Sequence, residues 1–177
     1  HGKSELILVQ NIKSNLKLKI EIDSRNNGEN SIQLTSLIKF LNTKGYKSIE
    51  SILKKFPYIE HNKRKLLNFK IFIIMDIDEK ELTDDFINKY KNKEMFKSYD
   101  YYEYIVPIYN DKNLDEVLIK LGYKVDTNNK TSSYRKIFPG NNGDYNSFIQ
   151  LKNKIKKSKN SNLIELLDYL NDCVDIN

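Results

Sequence analysis

The chain is poor in the residues that staple, kink or reactively decorate a fold. It has one cysteine, Cys173, no tryptophan, three prolines, six glycines and two histidines among 177 residues. A single cysteine excludes an internal disulfide, and with so few histidines no Cys/His zinc cluster can be assembled. Catalysis built on a Ser-His-Asp triad is disfavoured for the same reason. His61 lies in the polar segment "YIEHNKRK" and reads as a surface loop residue. His1 and Gly2 read as a vector remnant and are left out of the motif search. No apolar run approaches the roughly 20 residues needed to span a bilayer; the longest, Ile71–Met75, suits a buried strand. The short run 5–10 contains Glu5 and is no signal peptide. These absences lead to the expectation of a reducing, cytoplasmic setting with no membrane partner.

What is present is a globular composition, 39% hydrophobic and 31% charged, with a net charge of +6 carried almost wholly by lysine. The length suits one domain with a real core. Abundant Lys, Asn and Ile point to AT-rich coding, so part of the basicity is compositional. A polyanionic partner remains compatible with it.

Hydrophobic spacing gives the element order. "ELILVQ" (5–10) reads as a first buried strand and "LKLKIEI" (16–22) as an alternating, half-exposed one. Residues 31–41 and 48–56 carry helical spacing, ended by Gly45 and Pro57. "FKIFIIM" (69–75) is a central strand. A helix over 82–96 is capped by Thr83, with Asp84 and Asp85 in its positive first turn. Residues 101–109 read as an edge strand because of Pro107. A helix over 113–122 has Asn113 as cap. Residues 128–144 read as loop, and two helices, about 145–158 and 162–174 with Asn162 capping, close the chain. The expected fold is α/β, a mainly parallel sheet sandwiched by helices. Residues 1–144 form the main unit, and 145–177 are helices packed on it. The lysine-rich run 152–160 reads as a solvated helix face, and the tyrosines of 98–109 as strand side chains.

The segment "KIFIIMDIDEKE" (70–81) drives this apolar strand into acid. Sites in open α/β sheets lie at the carboxyl ends of strands. Asp76 and Asp78, two apart, face one side in extended backbone. Two converging carboxylates repel unless a proton or cation lies between them, and Mg²⁺ accepts such ligands. The competing expectation is a solvated charged turn. No Walker loop accompanies "GKS" (2–4), and Lys80 departs from the haloacid-dehalogenase pattern. A D-x-D glycosyltransferase stays open.

The pattern resembles the Toprim domain, and in its later elements the RloB/OLD-like branch associated with restriction and phage defence. Toprim domains open with a hydrophobic strand ending in Glu followed by Gly. After intervening helices they present a strand ending in D-x-D. Here "LILVQN" (6–11) and "IFIIMDIDE" (71–79) take those places. "DKNLDEVL" (111–118) resembles the branch's further acidic segment, and "SKNSNLIELLDYL" (158–170) its closing Asn-containing helix. The resemblance implies metal-dependent phosphodiester cleavage of DNA or RNA, with an ATPase or other defence-system subunit as a further partner. Asp76 and Asp78 would hold Mg²⁺ or Mn²⁺, and Asp115 or Glu116 would supply the third acid. Lys80, Arg135 and Lys136 would neutralise phosphate. Gln10 stands at the family's Glu position. That departure leaves open a disabled nuclease, a binding module that does not cut, or a different alignment of the strand.

Overall fold

The structure is a computed structural model and describes residues 1–138 and 143–175. In chain order its elements are α1 (Lys3–Asn15), α2 (Leu37–Thr43), α3 (Ile49–Lys55), β1 (His61–Asn62), β2 (Lys65–Leu66), β3 (Ile71–Asp76), α4 (Asp84–Lys91), β4 (Ile105–Asn110), α5 (Leu114–Lys120), α6 (Lys130–Ile137), α7 (Tyr145–Ile155) and α8 (Ile164–Asp175). Short 3-10 turns lie at 26–28, 34–36, 94–96 and 102–104. The fold is mixed α/β. Among the described residues its strands form two pairs: an antiparallel hairpin, β1–β2, and a parallel pair, β3–β4.

The parallel pair is the structural axis. Ile71 stands opposite Ile105, and the register runs on to Asp76 opposite Asn110. Parallel strands carry apolar residues on both faces because both must be covered. Two cores do the covering. One face packs on α1, α5, α6, α7 and α8 through residues such as Leu8, Ile12, Leu118, Phe148 and Leu167. The other packs on α2, α3 and α4 through Leu34, Leu37, Ile52, Tyr90 and Phe96. β3 alternates between the two: Ile73 and Met75 belong to the second core, while Phe72 and Ile74 lie against the first. The Tyr90 hydroxyl, fully buried, lies 2.7 Å from the Ile73 carbonyl and 2.9 Å from that of Ile108. It offers a donor beside Pro107, which has no N–H to give.

Several expectations need correction. The run 5–10 is not a strand: it belongs to α1, which carries on to Asn15. Glu5, Leu8, Val9 and Ile12 are buried at helical spacing, and that spacing shows only when the window extends past Gln10. Residues 18–24 lie outside any strand ladder, after a left-handed Lys17 (φ 54). The stretch 128–138, expected as loop, contains α6. It is capped by Asn129, whose side chain accepts the Ser132 N–H at 3.3 Å. Residues 139–142 of that expected loop, and 176–177 of the closing segment, lie outside the described residues. The strand expected over 101–109 begins at Ile105, after a 3-10 turn.

Asn162 precedes α8 as expected, but its side-chain oxygen does not cap that helix. It accepts the Tyr109 N–H of β4 at 2.7 Å, and its amide donates to the Pro107 carbonyl at 2.9 Å. The Asn162 N–H meets the Tyr109 carbonyl at 3.3 Å and the Asp111 N–H meets the Asn160 carbonyl at 2.7 Å. Residues 160–162 thus serve β4 as a surrogate strand on its outer edge. Substituting Asn162→Ala orphans one strand donor and one acceptor. It should lower stability by roughly 1–3 kcal/mol, read as a lower urea midpoint. Asn162→Asp, which keeps the acceptor, should lose less.

Candidate functional site

The site forms where β3 ends. Asp76 is the last residue of the strand and is 5% exposed. An ionised carboxylate there needs partners, and two arrive from distant parts of the chain. The Asn110 amide, at the end of β4, donates to Asp76 Oδ1 at 2.9 Å. The His1 ring places Nδ1 3.0 Å from Asp76 Oδ2 and 3.7 Å from Glu5 Oε2. Glu5, buried in the first turn of α1, accepts the Gly2 N–H at 2.8 Å. This reach back across the first turn is half of a capping box, and the acid also complements the positive helix end. Gly2 lies close to Ser31: a Cβ there would stand 2.9 Å from Ser31 Oγ, a hydroxyl on an exposed side chain that can turn away.

His1, Glu5 and Asp76 each bring one ligand atom within 4.8 Å of the others, a set able to hold a metal ion. Two buried polar atoms at this point have no hydrogen-bond partner, Glu5 Oε1 and Asn110 Oδ1. Unsatisfied oxygens in a buried acidic cluster are what a cation would satisfy. The electrostatics point the same way. Burial opposes a charged His1 ring, yet the hydrogen bonds and charges of Asp76 and Glu5 outweigh it and push its pKa up to about 10. Burial and the neighbouring Glu5 charge raise Asp76 above the ordinary carboxylate value, although His1 and Asn110 pull it down. Burial also raises Glu5, but His1 and the Gly2 N–H prevail and its carboxyl sits below the ordinary value. The imidazolium therefore acts as the positive charge between two acids.

A second cluster adjoins the first through consecutive residues of α1. Ser4 donates to Asp115 Oδ1 at 3.0 Å and accepts from Lys130 Nζ at 3.0 Å. Lys130 also pairs with Asp115 Oδ2 at 2.8 Å. The Tyr134 hydroxyl donates to Asp115 Oδ1 at 2.7 Å, and burial followed by that carboxylate drives its pKa far up. Asp115 is thus saturated by three donors and ties α5 and α6 to the start of α1.

Of the residues expected from sequence, Asp76 is in the cluster and the others are not. Asp78 is exposed and lies beyond the end of β3, so the alternation that would align it with Asp76 no longer applies. Glu79, expected in a solvated turn, instead accepts the Leu34 N–H at 2.6 Å. Gln10 is exposed on α1, more than a helical turn past Glu5. Glu116 is half-buried and pairs with Lys112 at 3.2 Å, outside both clusters. Lys80 is exposed after β3, and Arg135 and Lys136 lie on the exposed side of α6. Sequence reasoning set His1 and Gly2 aside as a vector remnant, whereas both pack into the cluster, and it also missed Glu5 and Ser4. The available signal was a glycine ahead of a helix with an acid three residues on.

No protein-family model, curated protein or solved structure matches the chain. No helix among the described residues is long and apolar enough to cross a membrane.

Because the folded chain holds the His1 proton more tightly than the usual 6.5, the stability it confers is complete below about pH 6.5. It fades as pH rises through about 10. Urea midpoints should fall across that window, and His1→Gln should flatten the fall; equal slopes in both proteins would refute the ion pair. Asp115→Ala, which leaves the buried Tyr134 hydroxyl without its acceptor, should cost roughly 1–3 kcal/mol. Glu116→Ala should stay within about 0.5 kcal/mol. Chemical denaturation reads both.

Proposed function

We propose that the chain is a divalent-metal-dependent phosphodiester-cleaving domain of Toprim type, acting on DNA or RNA. Its acidic centre is Asp76 with Glu5 and His1, rather than Asp76 with Asp78 and Gln10. The observation that carries the proposal is the convergence of His1, Glu5 and Asp76 at the carboxyl end of the parallel strand β3. Oxygens of Glu5 and Asn110 are left unpartnered there. His1-Gly2 followed at once by α1 takes the place the family gives to Glu-Gly ahead of its first helix. Position 1 is then a histidine where the family has an acid, and Glu5 supplies the carboxylate.

The donor set fits a cation. Asp76 and Glu5 would hold it, with His1 completing the shell. An imidazole beside two carboxylates is softer than the all-oxygen shell Mg²⁺ prefers, so Mn²⁺ is the better match of the two. When bound, the cation supplies Lewis acidity toward a phosphodiester. The protein's own groups do the rest. Asn110 fixes the Asp76 carboxylate by holding Oδ1. Asp115, through Ser4, fixes the first turn of α1 and with it Glu5. His1 holds a proton against Asp76 when no cation is present, so binding must release that proton and should strengthen with rising pH. Exposed Lys80, Arg135 and Lys136 are the proposed contacts to the phosphate backbone.

Manganese binding followed by electron paramagnetic resonance tests the centre. The intact chain should bind Mn²⁺. Asp76→Asn and Glu5→Gln should weaken binding by more than the roughly 10–100-fold that losing a supporting group costs. Asp78→Asn and Gln10→Ala should leave it unchanged. Labelled DNA and RNA, incubated with Mn²⁺ or Mg²⁺ and with chelator, read the activity. Metal-dependent cleavage lost in Asp76→Asn supports the proposal. Tight metal binding without cleavage of either nucleic acid would instead favour a module that grips without cutting.

A further inference from the structure

The amino ends of β3 and β4 lie opposite the acidic centre and carry charge of the other sign. β1 and β2 form a hairpin just ahead of β3, with Lys63 and Arg64 as its two-residue loop and Lys65 next to it. All three residues are exposed, and none makes an ion pair among the described residues. Glu50 and Asp100 line a recess of about 330 Å³ together with Lys63 and Arg64, but Asp100 accepts the Ile49 N–H at 2.9 Å instead. Three cations on one tight turn repel each other, and an outside anion relieves that repulsion.

The chain keeps these charges against local preference. Lys63 has left-handed backbone (φ 54), where hairpin turns favour Gly, Asn or Asp. Lys93, at φ 64, stands in the same disfavoured region. Its ammonium lies over the Tyr102 ring, 4.8 Å from the centroid. Burial first, and then the neighbouring Lys70 charge, hold Lys93 below its ordinary pKa, and Glu103 only partly offsets them. Tyr104, in the same 3-10 turn as Tyr102, ties this group to the hairpin. Its hydroxyl accepts the Leu66 N–H of β2 at 2.9 Å, and its ring meets Phe69 edge-on at 5.7 Å. The hairpin, Lys70 and Lys93 are thus fixed at one end of the parallel pair. Departures from local preference gather where function overrides folding.

We propose that this end of the pair is a second nucleic-acid contact, in which Lys63, Arg64 and Lys65 grip the phosphate backbone and Lys70 and Lys93 add to the field. Each strand of the hairpin has only two residues, too few to lay a row of side chains along base edges. The grip is therefore to phosphates and independent of sequence. The six residues of β3 put it roughly 20 Å from Asp76, so it holds nucleic acid away from the centre and needs no metal. It takes its partner class from the function proposed above and does not depend on cleavage.

Fluorescence anisotropy of labelled DNA and RNA, measured in chelator across a salt series, tests the contact. The intact chain should bind both, with affinity falling as salt rises. Lys63→Gly, Arg64→Ser and Lys65→Ser together should weaken binding about tenfold or more and reduce the slope of log K against log salt by about 2 to 3. Lys156→Ser, Lys157→Ser and Lys159→Ser together remove the same charge from another exposed stretch and should weaken binding much less. Lys63→Gly alone relieves the left-handed backbone, so its urea midpoint should hold or rise while its binding falls. Binding lost only in variants that also lose stability would make the hairpin structural and overturn the proposal. Equal losses from the two triple variants overturn it too, because net charge alone would then account for the binding. So does the absence of binding at physiological salt, or hairpin-dependent binding to phosphatidylserine vesicles in place of nucleic acid. With chelator present the readout is separate from metal-dependent cleavage, and a failure of that cleavage leaves this contact standing.

Discussion

A carboxylate held at the closed end of an apolar strand has to be neutralised, and the arrangement around Asp76 follows from that requirement. Little water reaches it, so the end of β4 supplies an amide and His1, two residues ahead of α1, supplies its ring. Glu5 then brings a second negative charge within reach of the same ring. Taken alone this doubling is unfavourable, since two buried acids share one proton-bearing partner. The His1 ring, between the two acids, offsets both. The parallel pairing of Asp76 with Asn110 and the acid in the first turn of α1 meet at this one point.

The second cluster shows how such a point is kept in place. Ser4 and Glu5 are consecutive, so their side chains leave α1 in different directions. Ser4 joins Asp115, Lys130 and Tyr134, while Glu5 joins His1 and Asp76. Any rotation of the first turn of α1 would disturb both clusters together. Asp115 thereby bears on the arrangement around Asp76 without touching it.

Elements whose signals are local were legible from sequence. β3 is an apolar, largely β-branched run up to Asp76, and α4 and α5 are capped by Thr83 and Asn113, whose side chains accept the Phe86 and Glu116 N–H groups. The first helix was not legible as such. Ile7, Leu8 and Val9 form an apolar run too short to separate strand from helix by period. The two residues that betray its start, His1 and Gly2, carry no apolar pattern. α6 was hidden by polar composition, because its inward face relies on Ser133, Tyr134 and Ile137 and on a lysine. Asp76 could be found because strand ends are where chemistry gathers. Asp78 misled because alternation holds only while the strand continues, and β3 stops two residues earlier. The partners of Asp76 come from distant parts of the chain, and no spacing rule reaches that far.

The seal that residues 160–162 form on β4 has a consequence for the life of the protein. Those residues follow directly on a lysine-rich stretch, the sort of exposed connection that proteases cut. A nick there would loosen the surrogate strand and leave β4 with bare backbone donors and acceptors beside two apolar layers. Such an edge is a template for sticking to other chains. Asn162, by holding residues 160–162 on β4, keeps that edge covered.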